Sequence, residues 1–135
     1  MNKRILLASA LLLTSTLFAQ AQNNKKVVVG SQKDKHGCMI GTGYTWSEIR
    51  NNCIPIWEEK IKLKELHSTR SYTADAVVIF SDDKKRAEVF MPPNKGGMIL
   101  TYDANAKNWK KGNVVLTDNG GYNITIKKKL MFSDK

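Results

Sequence analysis

Between residues 76 and 132 the sequence is a succession of short β-type runs separated by turn residues, and that spacing leaves few folds open. Residues 76–80 form the first run, and Ser81-Asp82-Asp83-Lys84-Lys85 turns it into residues 87–91. There Ala87, Val89 and Met91 alternate with Glu88 and Phe90, the period-two pattern of a strand. Pro92-Pro93-Asn94-Lys95-Gly96-Gly97 leads to residues 98–102, Asp103-Ala104-Asn105-Ala106 turns the chain toward Trp109, and residues 114–117 follow. Asp118-Asn119-Gly120-Gly121 is the strongest hairpin signal, because Asn-Gly tolerates the positive φ angles of a tight turn. Tyr122, Ile124 and Ile126 then share one face of a terminal strand, and residues 130–132 add a last short pairing. Seven or eight such strands must close or stack to hide their edges. The predicted fold is therefore mainly β, a small antiparallel β-barrel, with a sandwich as second choice.

The front of the chain reads differently. Lys25-Lys26-Val27-Val28-Val29, ended by Gly30 and Ser31, predicts a first strand. A turn-rich stretch follows, in which Thr45 and Glu48 make a capping-box pattern for a short helix over residues 46–52, inside the segment closed by the two cysteines. Pro55 blocks its continuation. Beyond it Trp57, Ile61 and Leu63 share a parity while Lys60, Lys62 and Lys64 take the other, which argues a half-buried strand; a helix over residues 57–66 is the alternative.

Residues 1–21 have the three parts of a cleavable export signal: Lys3 and Arg4, an apolar stretch over residues 5–18, and Ala19-Gln20-Ala21 as a small-residue cleavage site. A membrane anchor is the alternative, but the apolar stretch is shorter than the roughly 20 residues of a bilayer span and is interrupted by Ser9, Thr14, Ser15 and Thr16. A lipid-attachment site would need a Cys at the cut, and the first is Cys38. The expected mature protein is thus one secreted or periplasmic domain, residues 22–135, with a disulfide-stapled front (22–66) and an antiparallel meander (74–132). Losing Lys3 and Arg4 lowers the formal net charge from +10 to +8, still basic enough to favour anionic partners. An oxidising compartment makes a Cys38–Cys53 disulfide the default expectation, and chain entropy gives such a loop about 3 kcal/mol. The alternatives lack ligands or spacing: His36, Cys38 and His67 do not make a usual zinc set, and no C-x-x-C-H haem site is present.

The stretches VIFSDDKKRAEVFMP, MILTYD and NWKKGNVVLTDNGGYNITIKKKLMF resemble the strand succession of the membrane-bound C-type lysozyme inhibitor family, over roughly half of the expected mature chain. That resemblance implies an antiparallel barrel whose loops block the cleft of a cell-wall hydrolase. Two features depart from it: the family's Ser-Gly inhibitory loop is replaced by Asp118-Asn119-Gly120-Gly121-Tyr122, and a strongly basic inhibitor would be repelled by a basic lysozyme. The segment DKHGCMIGTGYTWSEIRNNCIPIWEE also resembles a motif of exported bacterial proteins of unknown function.

Candidate ligand contacts are Tyr44, Trp46 and Trp57, which lie in or beside the disulfide loop among Gly37, Gly41 and Gly43, with Arg50 for directed hydrogen bonds. The competing role for these aromatics is to pack under the bridge as core. The glycines match neither phosphate-cradling pattern, His36 and His67 have no nucleophile or metal motif around them, and the basic runs lack the interleaved aromatics of a base-stacking surface. No catalytic residue, cofactor, metal or nucleic-acid partner is expected. The expected function is a non-enzymatic binding protein for an anionic or carbohydrate envelope component, with a hydrolase inhibitor as the alternative. A purely structural envelope protein is a third class.

Overall fold

The structure is a computed structural model that describes residues 32–93 and 96–135; the export signal and the strand expected at 25–29 lie outside the described residues. Among the described residues ten strands follow one another: β1 (Tyr44–Ser47), β2 (Asn52–Pro55), β3 (Ile61–Glu65), β4 (Ala76–Phe80), β5 (Arg86–Phe90), β6 (Gly97–Asp103), β7 (Asn108–Lys111), β8 (Val114–Asp118), β9 (Tyr122–Ile126) and β10 (Lys129–Ser133). Strands β3 to β10 pair in chain order, and β10 returns to β3 through Phe132↔Glu65 and Ser133↔Lys64. The result is a closed antiparallel barrel rather than a sandwich, and closure removes every free sheet edge from these eight strands.

Period-two alternation decides what fills the barrel. Leu63, Ala76, Val78, Ala87, Val89, Leu100, Trp109, Leu116, Ile124 and Phe132 point inward and form one apolar cluster. Leu63, Leu100, Leu116 and Ile124 have no exposed surface at all. Burial of each contributes about 1.5–3 kcal/mol, and eight strands enclose just enough space for such side chains. A filled interior directs ligand contact to the outer surface and the loops. At one end Phe80, Trp109 and Tyr122 close the barrel, with ring centroids 4.8 Å (Phe80–Trp109) and 5.4 Å (Phe80–Tyr122) apart. Burial, reinforced by Asp118 and Asp134, holds the Tyr122 phenol above its ordinary pKa of 10.

Strands β4 and β5 are buried on both faces. Their outward-facing Val77, Ile79 and Phe90 pack with Ile54, Ile49 and Ile56, so the β1–β2 hairpin lies as a patch over the outside of the barrel wall. This hairpin corrects the helix expected over residues 46–52. Thr45 pairs with Ile54 and Ser47 with Asn52, and Asn51 takes the left-handed conformation (φ 50°) at the turn. The helix loses to tertiary hydrogen bonding. The carboxylate of Glu88, 1% exposed, accepts the Ser47 hydroxyl and the Glu48 (2.9 Å) and Ile49 (3.3 Å) N–H groups, while Ser47 Oγ accepts the Arg50 N–H at 3.1 Å. Among the described residues the sole helical element is a 3₁₀ turn at Ile56–Glu58. It takes Trp57 out of the strand expected to include it, and that strand starts at Ile61. β3, which precedes residue 66, pairs with both β4 and β10 and so completes the barrel.

Candidate binding site on the disulfide lobe

The Cys38–Cys53 disulfide forms, with Cα atoms 5.5 Å apart, and fastens the loop over residues 32–42 to β2. That loop is a miniature hairpin closed by the Lys33↔Met39 bridge and by Asp34 N–H to Cys38 C=O (2.9 Å). The Asp34 carboxylate accepts the N–H groups of His36 (2.8 Å) and Cys38 (2.9 Å), and these bonds, that of Cys38 foremost, hold its pKa below 3.8. The site therefore contains a fixed negative charge at neutral pH.

Alternation along β1 places Tyr44 and Trp46 on one face and Thr45 and Ser47 on the other. The second face is tied down by Ser47 and Glu88, so the aromatic face is presented away from the barrel. Trp57 joins it. Its ring lies against the backbone of Gly43, where a Cβ would sit only 2.9 Å from Trp57 Cε3, and it meets Tyr44 edge-on with centroids 5.3 Å apart. Gly43 also has φ +82°, which an L side chain resists, so glycine is needed here on both counts. Tyr44 and Trp57 remain 43% and 47% exposed, and neither is the core of the lobe. Trp46 is half-buried and stacks on His36 with centroids 4.6 Å apart and planes 5° from parallel.

Two clefts run along this strand. One, of about 470 Å³, is lined by Ile40, Gly41, Gly43, Tyr44, Ile56 and Phe90; the other, of about 390 Å³, by Lys35, His36, Trp46, Glu48, Glu88 and Gly97. They meet at Asp34 and Thr45, which line both. The combined trough offers apolar and aromatic faces together with the carboxylates of Asp34 and Glu48 and the ammonium of Lys35, while the Glu88 carboxylate at its wall is already taken by Ser47, Glu48 and Ile49. With two carboxylates against one ammonium, such a surface suits a neutral ligand with both C–H faces and hydroxyl donors better than an anion.

Arg50 is not brought to this trough. It lies in the β1–β2 turn, pairs with Glu59 at 3.4 Å, and lines a separate polar cleft of about 640 Å³ with Asp82 and Asp83. The predicted four thus divide into the Tyr44–Trp57 pair, Trp46 on His36, and a remote Arg50. The residues missed from sequence are Ile40, Ile56, Phe90 and Glu88; the one available signal was an acidic residue inside the apolar run 87–91. Among the described residues no group of three or more His, Cys, Asp or Glu side chains is arranged to hold a metal, and no helix is long and apolar enough to cross a membrane. Compared with known proteins, the chain matches no protein-family model, and no curated protein or solved structure is found to be similar to it.

Proposed function

We propose that this protein is an exported, non-enzymatic sugar-binding module that takes a neutral stretch of an envelope glycan across the Tyr44–Trp57 pair and into the trough beside β1, with Trp57 outside the trough lining and joined to it through Tyr44 and Gly43. The observation that carries this reading is the Tyr44–Trp57 pair: two large aromatic rings, nearly half exposed, held at right angles on a disulfide-fastened lobe with a glycine under one of them. An aromatic ring packs against the C–H face of a pyranose, and the carboxylates of Asp34 and Glu48 can accept its hydroxyl protons. A scaffold fixed before binding avoids the ordering cost of a flexible loop. Export rests on the leader sequence and agrees with the disulfide.

The test is co-sedimentation of the mature protein with insoluble peptidoglycan at low salt and at ~150 mM salt. Binding is expected to persist at the higher salt, since neutral contacts carry it, and Trp57→Ala is expected to weaken it about tenfold, the loss of one aromatic contact of ~1.5 kcal/mol. Salt-erased binding, or binding indifferent to Trp57→Ala, refutes the sugar site. Blockage of lysozyme-driven lysis at stoichiometric protein, with no retention on the polymer, would favour the hydrolase-inhibitor reading.

A further inference from the structure

The barrel end formed by the β7–β8 and β9–β10 turns concentrates positive charge in a way that the sugar trough does not use. Ile126 pairs with Lys129, so Lys127 and Lys128 are the whole of a two-residue hairpin loop. Both have positive φ, 50° and 66°. Tight two-residue turns with two left-handed residues strongly favour Asn-Gly, and bulky side chains are resisted there. At the opposite end of the barrel the three-residue β8–β9 loop gives its positive φ angles to Gly120 and Gly121, whereas here two lysines take them. The Lys127 N–H donates to the Asn113 carbonyl at 3.0 Å, which joins this turn to the one containing Lys111. Lys111, Lys127, Lys128 and Lys129 are all exposed, and no ion pair seen among the described residues includes any of them.

Beside these lysines lies exposed apolar surface. Leu66 N–H donates to the Met131 carbonyl at 2.8 Å, setting Leu66 next to the start of β10, and Leu66 and Leu130 are 42% and 39% exposed. Lysines alone would suit any polyanion. Lysines edged by two outward leucines suit a surface with a charged layer over an apolar one.

We infer that this barrel end docks on a bilayer carrying anionic headgroups, with the lysines in the headgroup layer and Leu66 and Leu130 at its apolar boundary. The inference is independent of the sugar site, because the lysine turns and the β1–β2 hairpin sit on well-separated strands of the barrel.

The experiment is flotation with phosphatidylcholine vesicles, with and without a minority of phosphatidylglycerol, at low salt. The key variant is Lys127→Asn with Lys128→Gly and Lys129→Gln, which removes three charges while giving the turn its preferred residues, so it folds at least as well as the parent. At roughly fivefold per lysine, it should bind the anionic vesicles on the order of a hundredfold more weakly. Leu66→Ser with Leu130→Ser should weaken binding severalfold, and Trp57→Ala should leave it intact. Undiminished binding by the lysine variant overturns the inference, as does failure of the parent to float with anionic vesicles. Unchanged binding by the leucine variant, with soluble polyphosphate competing fully, would make the face a general polyanion contact instead of a bilayer one.

Discussion

Replacing Glu88 with glutamine exchanges a single carboxylate oxygen for an amide nitrogen, yet it should loosen the whole disulfide lobe. The carboxylate takes three donors: one oxygen accepts the Ser47 hydroxyl and the Ile49 N–H, the other the Glu48 N–H. An amide cannot serve all three. With its oxygen toward Ser47 and Ile49, its NH2 faces the Glu48 N–H, donor against donor. Flipped, it satisfies Glu48 and can donate to the Ser47 hydroxyl, but the Ile49 N–H is orphaned. Either way one partly buried N–H is lost, at about 1–3 kcal/mol, and the charge assistance of the remaining bonds goes too. We expect Glu88→Gln to destabilise by about 2 kcal/mol, and Glu88→Ala, which strands all three donors beside a cavity, by about 3–5 kcal/mol. Urea melts give the total, and hydrogen exchange of the Glu48 and Ile49 amides locates it. Their protection should fall in Glu88→Gln while the amides of Leu116 and Ile124 in the barrel change only with global stability. Stability within 0.5 kcal/mol of the parent with protection unchanged at residues 48 and 49 would refute the claim that this carboxylate anchors the hairpin, since such a change is what an ordinary surface site gives.

Gly97 sits where a Cβ would lie 2.7 Å from Glu88 Cγ and 2.8 Å from Cδ, so Gly97→Ala should cost about 1–3 kcal/mol in the parent but little in a Glu88→Ala background, a non-additivity read directly from a double-mutant cycle. Reducing the disulfide, or Cys38→Ser with Cys53→Ser, should lower stability by about 3 kcal/mol for a bridge spanning 15 residues and should expose the 32–42 loop to protease before the barrel opens. Because the Asp34 carboxyl titrates lower in the folded protein than the ordinary 3.8, its contribution to loop order is fully present above pH 3.8 and is lost as the pH falls through the depressed value; amide shifts of His36 and Cys38 should move together in that acid window and stay flat above it. Gly43→Ala should displace the Trp57 ring and cost about 1–2 kcal/mol of backbone strain, weakening peptidoglycan retention with no loss of barrel fold by circular dichroism.

The barrel was legible because hairpins are local. Each strand from Ala76 to Ser133 is bounded by turn residues that sequence displays, and the alternation of Ala87, Val89 and Met91 already chose their inward face. Closure through β3 was harder to read, since Phe132↔Glu65 pairs residues far apart in the chain with no turn to announce it. The helix expected over residues 46–52 failed for a related reason: Thr45 and Glu48 satisfy a local capping rule, but the donors that the helix would have used at Glu48 and Ile49 are taken by Glu88, some forty residues away. Within the site, the aromatics of the disulfide loop were readable from composition, and their exposure was not. Whether Trp57 packs beneath the bridge or stands on Gly43 depends on the 3₁₀ turn after Pro55, where period-two counting predicts strand. Proximity in sequence groups Arg50 with the aromatics, but the hairpin turn carries it beyond the far end of β1 from Tyr44 and onto Glu59.

The most direct test of the sugar site uses the three tryptophans as internal reporters. Trp46 and Trp57 belong to the disulfide lobe, whereas the indole N–H of Trp109 is committed to the Lys84 carbonyl at 2.7 Å in the barrel end. In a heteronuclear NMR titration with soluble fragments of the peptidoglycan sugar chain, the account predicts saturable shifts of the Trp57 and Trp46 indole signals with Trp109 unmoved. Shifts confined to Trp109, or none at any of the three while the fragments demonstrably bind, would contradict it.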